Sequence, residues 1–161
     1  MLRLRPAGPD DAPAIFDLIG QLADFEQLRQ QMIGNVEDLR RHLFGEPRFA
    51  HALLAEWDGV PVGFALYFFN YSTFLCRPGV YLEDLFVRPE HRGRGIGHAL
   101  LVELEARARA LGCGRLEWAV LNWNQPAIDF YHRFGARPND GWTVYRKNLI
   151  AESAESADGA P

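Results

Sequence analysis

The apolar positions change period along the chain, and each change predicts an element. Leu2 and Leu4 alternate with Arg3 and Arg5 up to Pro6, which predicts a short strand. Asp10 and Asp11 offer an N-cap and Pro13 suits a first turn. Ile15, Leu18, Ile19 and Leu22 then recur at helical spacing, predicting a helix to about Phe25. A polar connector runs from Glu26 to Gly34. Beyond it Asn35 and Asp38 have capping spacing, and Val36, Leu39 and Leu43 form a second helical stripe. Asp58-Gly59, set between the apolar runs His51 to Trp57 and Val60 to Phe69, predicts a hairpin because both residues tolerate positive φ.

A loop around Ser72 to Pro78 precedes a strand over Val80 to Val87. A glycine-rich turn follows, then a helix with Ile96, Leu100, Leu104, Ala108 and Leu111 on one face and Gly112 as its stop. Arg115 to Leu121 reads as a strand, Pro126 opens a helix with the stripe Ala127, Phe130, Tyr131 and Phe134, and Trp142 to Lys147 predicts a last strand. The order β-α-α-β-β-β-α-β-α-β describes one α/β domain over residues 1–150. Residues 151–161 (AESAESADGAP) form a low-complexity polar tail that buries nothing and is expected to be flexible.

Composition narrows the functional classes. The chain has 161 residues, 48% of them hydrophobic, enough for a real core in one domain. A formal net charge of -4 does not suit neutralisation of a nucleic-acid backbone, so no nucleic-acid partner is expected. No apolar run approaches the ~20 residues that cross a bilayer, the N-terminus has no hydrophobic signal core, and a cytoplasmic location follows by default. Cys76 and Cys113 are too few for a disulfide framework and have no metal-ligand spacing. The five histidines show no i,i+4 pair, so no metal is expected.

The turn Arg92-Gly93-Arg94-Gly95-Ile96-Gly97, placed between a strand and a helix, has the chemistry of a phosphate site. Glycines let backbone approach an anion, first-turn N–H groups point at it, and the arginines add positive charge. Alternatively the glycines only shape a tight strand-to-helix turn. A P-loop needs Lys-Ser or Lys-Thr where His98 and Ala99 stand, and the spacing G-x-G-x-G departs from a dinucleotide fingerprint.

This turn resembles the acyl-CoA-binding motif of the GNAT acetyltransferases, in which Gln or Arg is followed by two residues, Gly, one residue, then Gly or Ala. The resemblance implies a GNAT fold, with a mixed, mostly antiparallel twisted sheet flanked by helices, and acetyl-CoA as co-substrate. It also implies that Leu85, Phe86 and Val87 present strand backbone to the pantetheine arm, a form of strand extension. Asn122 to Tyr131 resembles the family's later motif. By that likeness Asn124 contacts the cofactor, and Tyr131 faces its sulfur as general acid. From its stripe alone Tyr131 reads first as a core residue, and both readings hold if the ring packs while the hydroxyl reaches out.

Further stretches, Leu22 to Glu26, Phe44 to Glu46, Val62 to Ala65, Tyr71 to Phe74, Tyr81 to Asp84 and Gly141-Trp142, resemble the spermidine/spermine acetyltransferase branch and its thialysine-acetylating members. That likeness implies a small primary amine as substrate and a homodimer as the assembly. It places Glu83 as the base, with Glu26, Asp84, Ser72 and Trp142 around the amine. Ser72 stands where the polyamine enzymes carry an Asp, so recognition of a second ammonium group is expected to weaken. Adjacent strand residues point to opposite faces, so Glu83 and Asp84 converge only if a bulge intervenes. Tyr71 and Trp142 are candidate aromatic walls, and the N–H of Phe86 or Val87 is a candidate donor to the thioester oxygen. A protein or peptide N-acetyltransferase and a CoA-binding module without turnover are the alternatives.

Overall fold

The computed structural model describes residues 1–150; the expected polar tail lies outside the described residues. The described part forms two compact units, Met1–Ala119 and the segment from Val120 onward. In the first, strand β1 (Leu2–Pro6) leads through a 3-10 turn at Pro9–Asp11 into helix α1 (Ala12–Phe25). Helix α2 (Val36–Phe44) starts where expected, with the Asn35 side chain accepting from the Asp38 N–H at 2.9 Å. Strands β2 (His51–Trp57), β3 (Val60–Ser72) and β4 (Arg77–Val87) follow, then helix α3 (Ile96–Ala110) and strand β5 (Leu116–Trp118).

The five strands form one sheet in sequence order, antiparallel from β1 to β4, with β5 parallel to β4. Asp58 and Gly59 carry φ of 49° and 82°, the positive values that a tight hairpin turn demands. Alternation along the strands splits the core between two faces. Ala52, Leu54, Phe64, Leu66 and Phe86 pack against Ile15 and Leu18 of α1 and Leu43 of α2. The intervening Leu53, Ala55 and Ala65 are buried on the other face, where α3 brings Ile96, Leu100, Leu101, Leu104 and Ala108. Leu111, expected on that stripe, caps the helix and is exposed.

Arg5 ties these parts together. Its Nε donates to Glu56 Oε1 at 2.8 Å, and its two Nη groups donate to both Asp11 oxygens at 2.7 and 2.9 Å. Asp11 also accepts the Gly8 N–H, so one guanidinium joins β1, β2 and the entrance to α1. Glu56 is only 8% exposed and is the one buried charged residue among the described core positions.

The second unit carries helix α4 (Gln125–Arg133), with Asn124 at its N-cap and Gly135 at φ 99° just past its end. The strand expected over Trp142 to Lys147 does not form: no strand follows β5 among the described residues. Trp142 and Tyr145 are 79% and 93% exposed. Alternation supplies strand propensity, but a strand also needs a pairing edge, and this segment has none here.

Candidate active site

The central feature is a phase slip in the β3–β4 ladder. Leu66 faces Asp84, but Tyr67 faces Leu82, so Glu83 is an extra residue without an opposite number. Leu82 therefore shares the α3 face with Tyr67, whereas Asp84 shares the α1 face with Leu66 and Phe86. The slip puts Leu82 and Asp84 on opposite faces and frees Glu83 from the alternation that would oppose it to Asp84, and the Glu83 charge acts on the Asp84 carboxyl. Glu26, at the C-terminal end of α1, approaches from the helix packed on that face.

Electrostatics mark the same spot. Burial, with the neighbouring Glu83 and Glu26 charges acting in the same direction, pushes the Asp84 carboxyl up to about 7. Burial also raises Glu26. A carboxylate held near neutrality among other carboxylates is stabilised by an arriving cation, and it can accept a proton at working pH.

Beyond the bulge, β4 has an open edge. Its pairing with β5 ends at Leu82–Trp118, while its pairing with β3 continues to Val87 opposite Gly63. The Arg88 N–H donates to Val62 O, so the Val87 carbonyl on the other side of that peptide points away from β3. By alternation the backbone groups of Leu85 and Val87 face the open edge and those of Phe86 face β3. A Cβ on Gly63 would lie 2.8 Å from the Phe86 carbonyl oxygen, which accounts for glycine there. Of the two expected N–H donors, Val87 has the orientation to serve a ligand on that edge and Phe86 does not.

The open edge runs into the glycine turn. Gly93 and Gly95 adopt φ of 79° and 77°, and nothing lies within 4 Å of a Cβ built on either. Positive φ, not crowding, requires these glycines, and the space beside them is free for a ligand. Gly95 is the N-cap of α3 and makes no side-chain cap, leaving the first-turn N–H groups of Ile96 and Gly97 for an anion. The turn and edge together fit a pyrophosphate joined to an amide-bearing arm. Arg92 donates from Nε to Val87 O at 2.9 Å, and burial lowers its guanidinium from the usual arginine range.

Ser72 lies apart from this cluster. Ser72 is six positions beyond Leu66 on β3, about 20 Å from the Asp84 level at ordinary strand rise. It accepts the Leu75 N–H at 3.2 Å and lines a small cavity with Asn70, Leu75, Gly79 and Arg115. The structure does not bring Ser72 to the three carboxylates; strand length carries it to the opposite end of the hairpin, beside the exposed Tyr71. In the second unit the Asn124 side chain accepts the Ala127 N–H at 3.4 Å, and half-buried Tyr131 packs against Phe130 with ring centroids 5.6 Å apart. Trp142 lies in the exposed segment after α4. No group of His, Cys, Asp and Glu suited to a metal ion occurs among the described residues. No helix among them is long and apolar enough to cross a membrane.

Two residues escaped the sequence reading: Phe25 and Trp57, whose rings lie under the arginines of the turn. Their apolar type marked them as elements of a helix and a strand, and only tertiary contact reveals the cation on each face.

Known proteins resemble this chain over most of its length. Residues 19–136 match the acetyltransferase (GNAT) family. The chain is 40% identical over 154 residues to the thialysine N-epsilon-acetyltransferase of Bos taurus, covering 89% of this chain and 90% of that protein. It is 31% identical to the L-ornithine N5-acetyltransferase of Arabidopsis thaliana, over 97% of this chain and 87% of that one. Among solved structures, an integron cassette protein from V. cholerae superposes with a TM-score of 0.77 at 22% identity, covering 99% of this chain and 98% of the other, a likeness of fold.

Proposed function

The chain belongs to the acetyltransferase (GNAT) family, an acetyl-CoA-dependent N-acetyltransferase, and we propose that its acceptor is the primary amine of a small cationic amino acid or diamine. The observation that carries this reading is the convergence of Glu26, Glu83 and Asp84, with Asp84 raised to about 7. The names of the thialysine and ornithine acetyltransferases support an amino acid with a side-chain amine, and we place thialysine, lysine and ornithine first.

The mechanism follows from the side chains. A primary amine with pKa ~10.4 arrives protonated, and the three carboxylates receive it as an ammonium ion. Nucleophilic attack requires the neutral amine. The Glu83–Asp84 pair takes the proton, through water where contact is not direct, with Asp84 as the member poised near neutrality. Acetyl-CoA supplies a thioester carbonyl and a thiol leaving group. The Val87 N–H donates to the carbonyl oxygen as charge builds on it. Leu85 and Val87 extend the sheet to the pantetheine arm, and the turn from Arg92 to Gly97 holds the pyrophosphate. By family likeness we assign cofactor contact to Asn124, the general acid to Tyr131, and an aromatic wall for the amine to Trp142.

Residues 1–150 are proposed to work as one catalytic domain, and the family match runs across both compact units. We further propose a cytoplasmic homodimer. Free Cys76 and Cys113 suit a reducing compartment. The exposed Tyr71, Phe74 and Leu75 at the β3–β4 tip offer apolar surface for a second copy.

The test is CoA release from acetyl-CoA with thialysine, lysine, ornithine, putrescine, spermidine and peptide N-termini. A small amine is expected to give the highest kcat/KM. Preference for peptide N-termini would make the chain a peptide N-acetyltransferase, and tight acetyl-CoA binding without turnover would make it a binding module. Tyr131→Phe is expected to lower kcat about 100-fold or more while acetyl-CoA affinity stays near that of the parent. An unchanged rate removes Tyr131 as the acid.

A further inference from the structure

Both arginines of the glycine turn lie over aromatic rings. The Arg92 Cζ is 4.9 Å from the Phe25 ring centroid and 5.3 Å from that of Phe86, so its guanidinium has an aromatic ring from α1 and another from β4. The Arg94 Cζ lies 4.7 Å from the Trp57 ring, at the end of β2. Polar contacts fix each guanidinium further. Arg92 Nε donates to Val87 O, and Arg94 Nη1 is 3.2 Å from His91 Nδ1, whose ring in turn lies 6.2 Å from Trp57.

These contacts bracket Gly93, the residue between the arginines. A run of alternating glycines is costly to order in backbone entropy, and a ligand that has to order it binds more weakly. Fixing positions 92 and 94 beforehand removes part of the cost. It also keeps two positive charges beside the uncapped start of α3.

We propose that Phe25 with Phe86, and Trp57, form two aromatic clamps that hold Arg92 and Arg94 and so preset the glycine turn for a pyrophosphate. Phe25 and Trp57 are then positioning residues for the cofactor half of the reaction, acting through the arginines without touching the ligand. The proposal rests on the acyl-CoA reading of the turn given above. Phe25 also immediately precedes Glu26, so the Arg92 clamp connects the end of α1 that bears an amine-site carboxylate to the turn that bears the phosphates.

The experiment is calorimetric titration of the full chain with CoA, together with steady-state kinetics against acetyl-CoA. An exposed cation–π contact of about 0.5–1 kcal/mol corresponds to a change of about two- to five-fold in affinity. Phe25→Leu and Trp57→Leu are each expected to weaken CoA binding by about that factor. The acetyl-CoA KM should rise in parallel, with kcat changing less than two-fold in either variant (an order-of-magnitude bound). Phe25→Tyr and Trp57→Phe keep an aromatic face and are expected to restore parental affinity. Contacts that only stabilise the fold would lower the melting temperature without this split or this rescue.

Leucine variants that bind CoA as the parent does overturn the clamps and leave the acyl-CoA reading standing. So do aromatic variants as weak as the leucine ones. A parent chain that does not bind CoA overturns both. Should a leucine variant fail to fold, Phe25→Met or Trp57→Met takes its place: methionine fills the site flexibly but has no aromatic face, and it must show the same rise in KM.

Discussion

Asp84 stands between two demands, and its titration separates them. Its folded pKa of about 7 lies above the ordinary aspartate value of 3.8, so the native protein binds this proton more tightly than the unfolded chain does. The resulting stability is complete below the unfolded value and is lost as pH rises through about 7. Asp84→Asn removes a charge that burial, Glu83 and Glu26 all oppose. It should stabilise the protein by on the order of 1–3 kcal/mol at pH 8, with the gain fading toward pH 4, as urea titrations at several pH values will read. The same substitution is expected to lower kcat/KM for the amine about ten-fold or more, because an amide neither attracts the ammonium nor accepts its proton. Glu26→Gln is expected to raise the amine KM more than Ser72→Ala does, given the placement of Ser72 at the far end of the hairpin. A stability gain coupled to an activity loss is what a functional acid, as opposed to a structural one, predicts.

At the scale of elements, two devices carry most of the design. The Arg5 guanidinium holds Asp11 well below the usual carboxylate range, chiefly through their hydrogen bonds, with the Gly8 N–H helping. A depressed pKa contributes stability that is present above the unfolded value and disappears as pH falls through the folded one. Asp11→Asn is therefore expected to cost about 1–2 kcal/mol at pH 7, with the gap to the parent closing in acid, measured by thermal melts across pH. The second device is the close approach of β3 and β4 at Gly63. Gly63→Ala places a methyl group 2.8 Å from the Phe86 carbonyl, so β4 must shift just before the glycine turn. A loss of about 1–3 kcal/mol follows, together with weaker acetyl-CoA binding, read by denaturation and calorimetry. The elements themselves were largely legible in the sequence. Asn35, Asp58-Gly59 and Gly95 punctuate it where caps and turns occur, because these residues are chosen for local backbone geometry. The convergence of Glu83 with Asp84 was not legible. A bulge is a property of two strands together, and nothing in Tyr81 to Leu85 alone shows which residue lacks a partner. Trp142 to Lys147 failed for a related reason: propensity is local, but a pairing edge is not.

The whole molecule combines family-level certainty with questions of assembly. The turn at Arg92 to Gly97 and the spacing of Asn124 and Tyr131 sufficed to read the acetyltransferase family, because both are local patterns visible in a short stretch of chain. Ser72 is the instructive contrast: its likeness to substrate residues was legible, but its distance from Asp84 required the register of a long hairpin. Apolar side chains remain in water at the hairpin tip, with Phe74 at 94% exposure. Light scattering on the full chain is expected to give twice the monomer mass, and Phe74→Ser should shift that equilibrium toward monomer. A chain that stays monomeric at micromolar concentration would exclude the homodimer.

The bulge at Glu83 also acts as a parity switch within β4. Residues on its two sides obey opposite rules for which face they occupy, so no single even-odd count describes the strand. Removing Glu83 would merge the two counts into one. Either the stretch before it would turn over, carrying Leu82 away from the α3 side, or the stretch after it would do so, taking Asp84 away from Glu26. The single residue without a partner in the ladder is thus what lets one strand turn Leu82 to the α3 side and Asp84 to the side of α1 and Glu26.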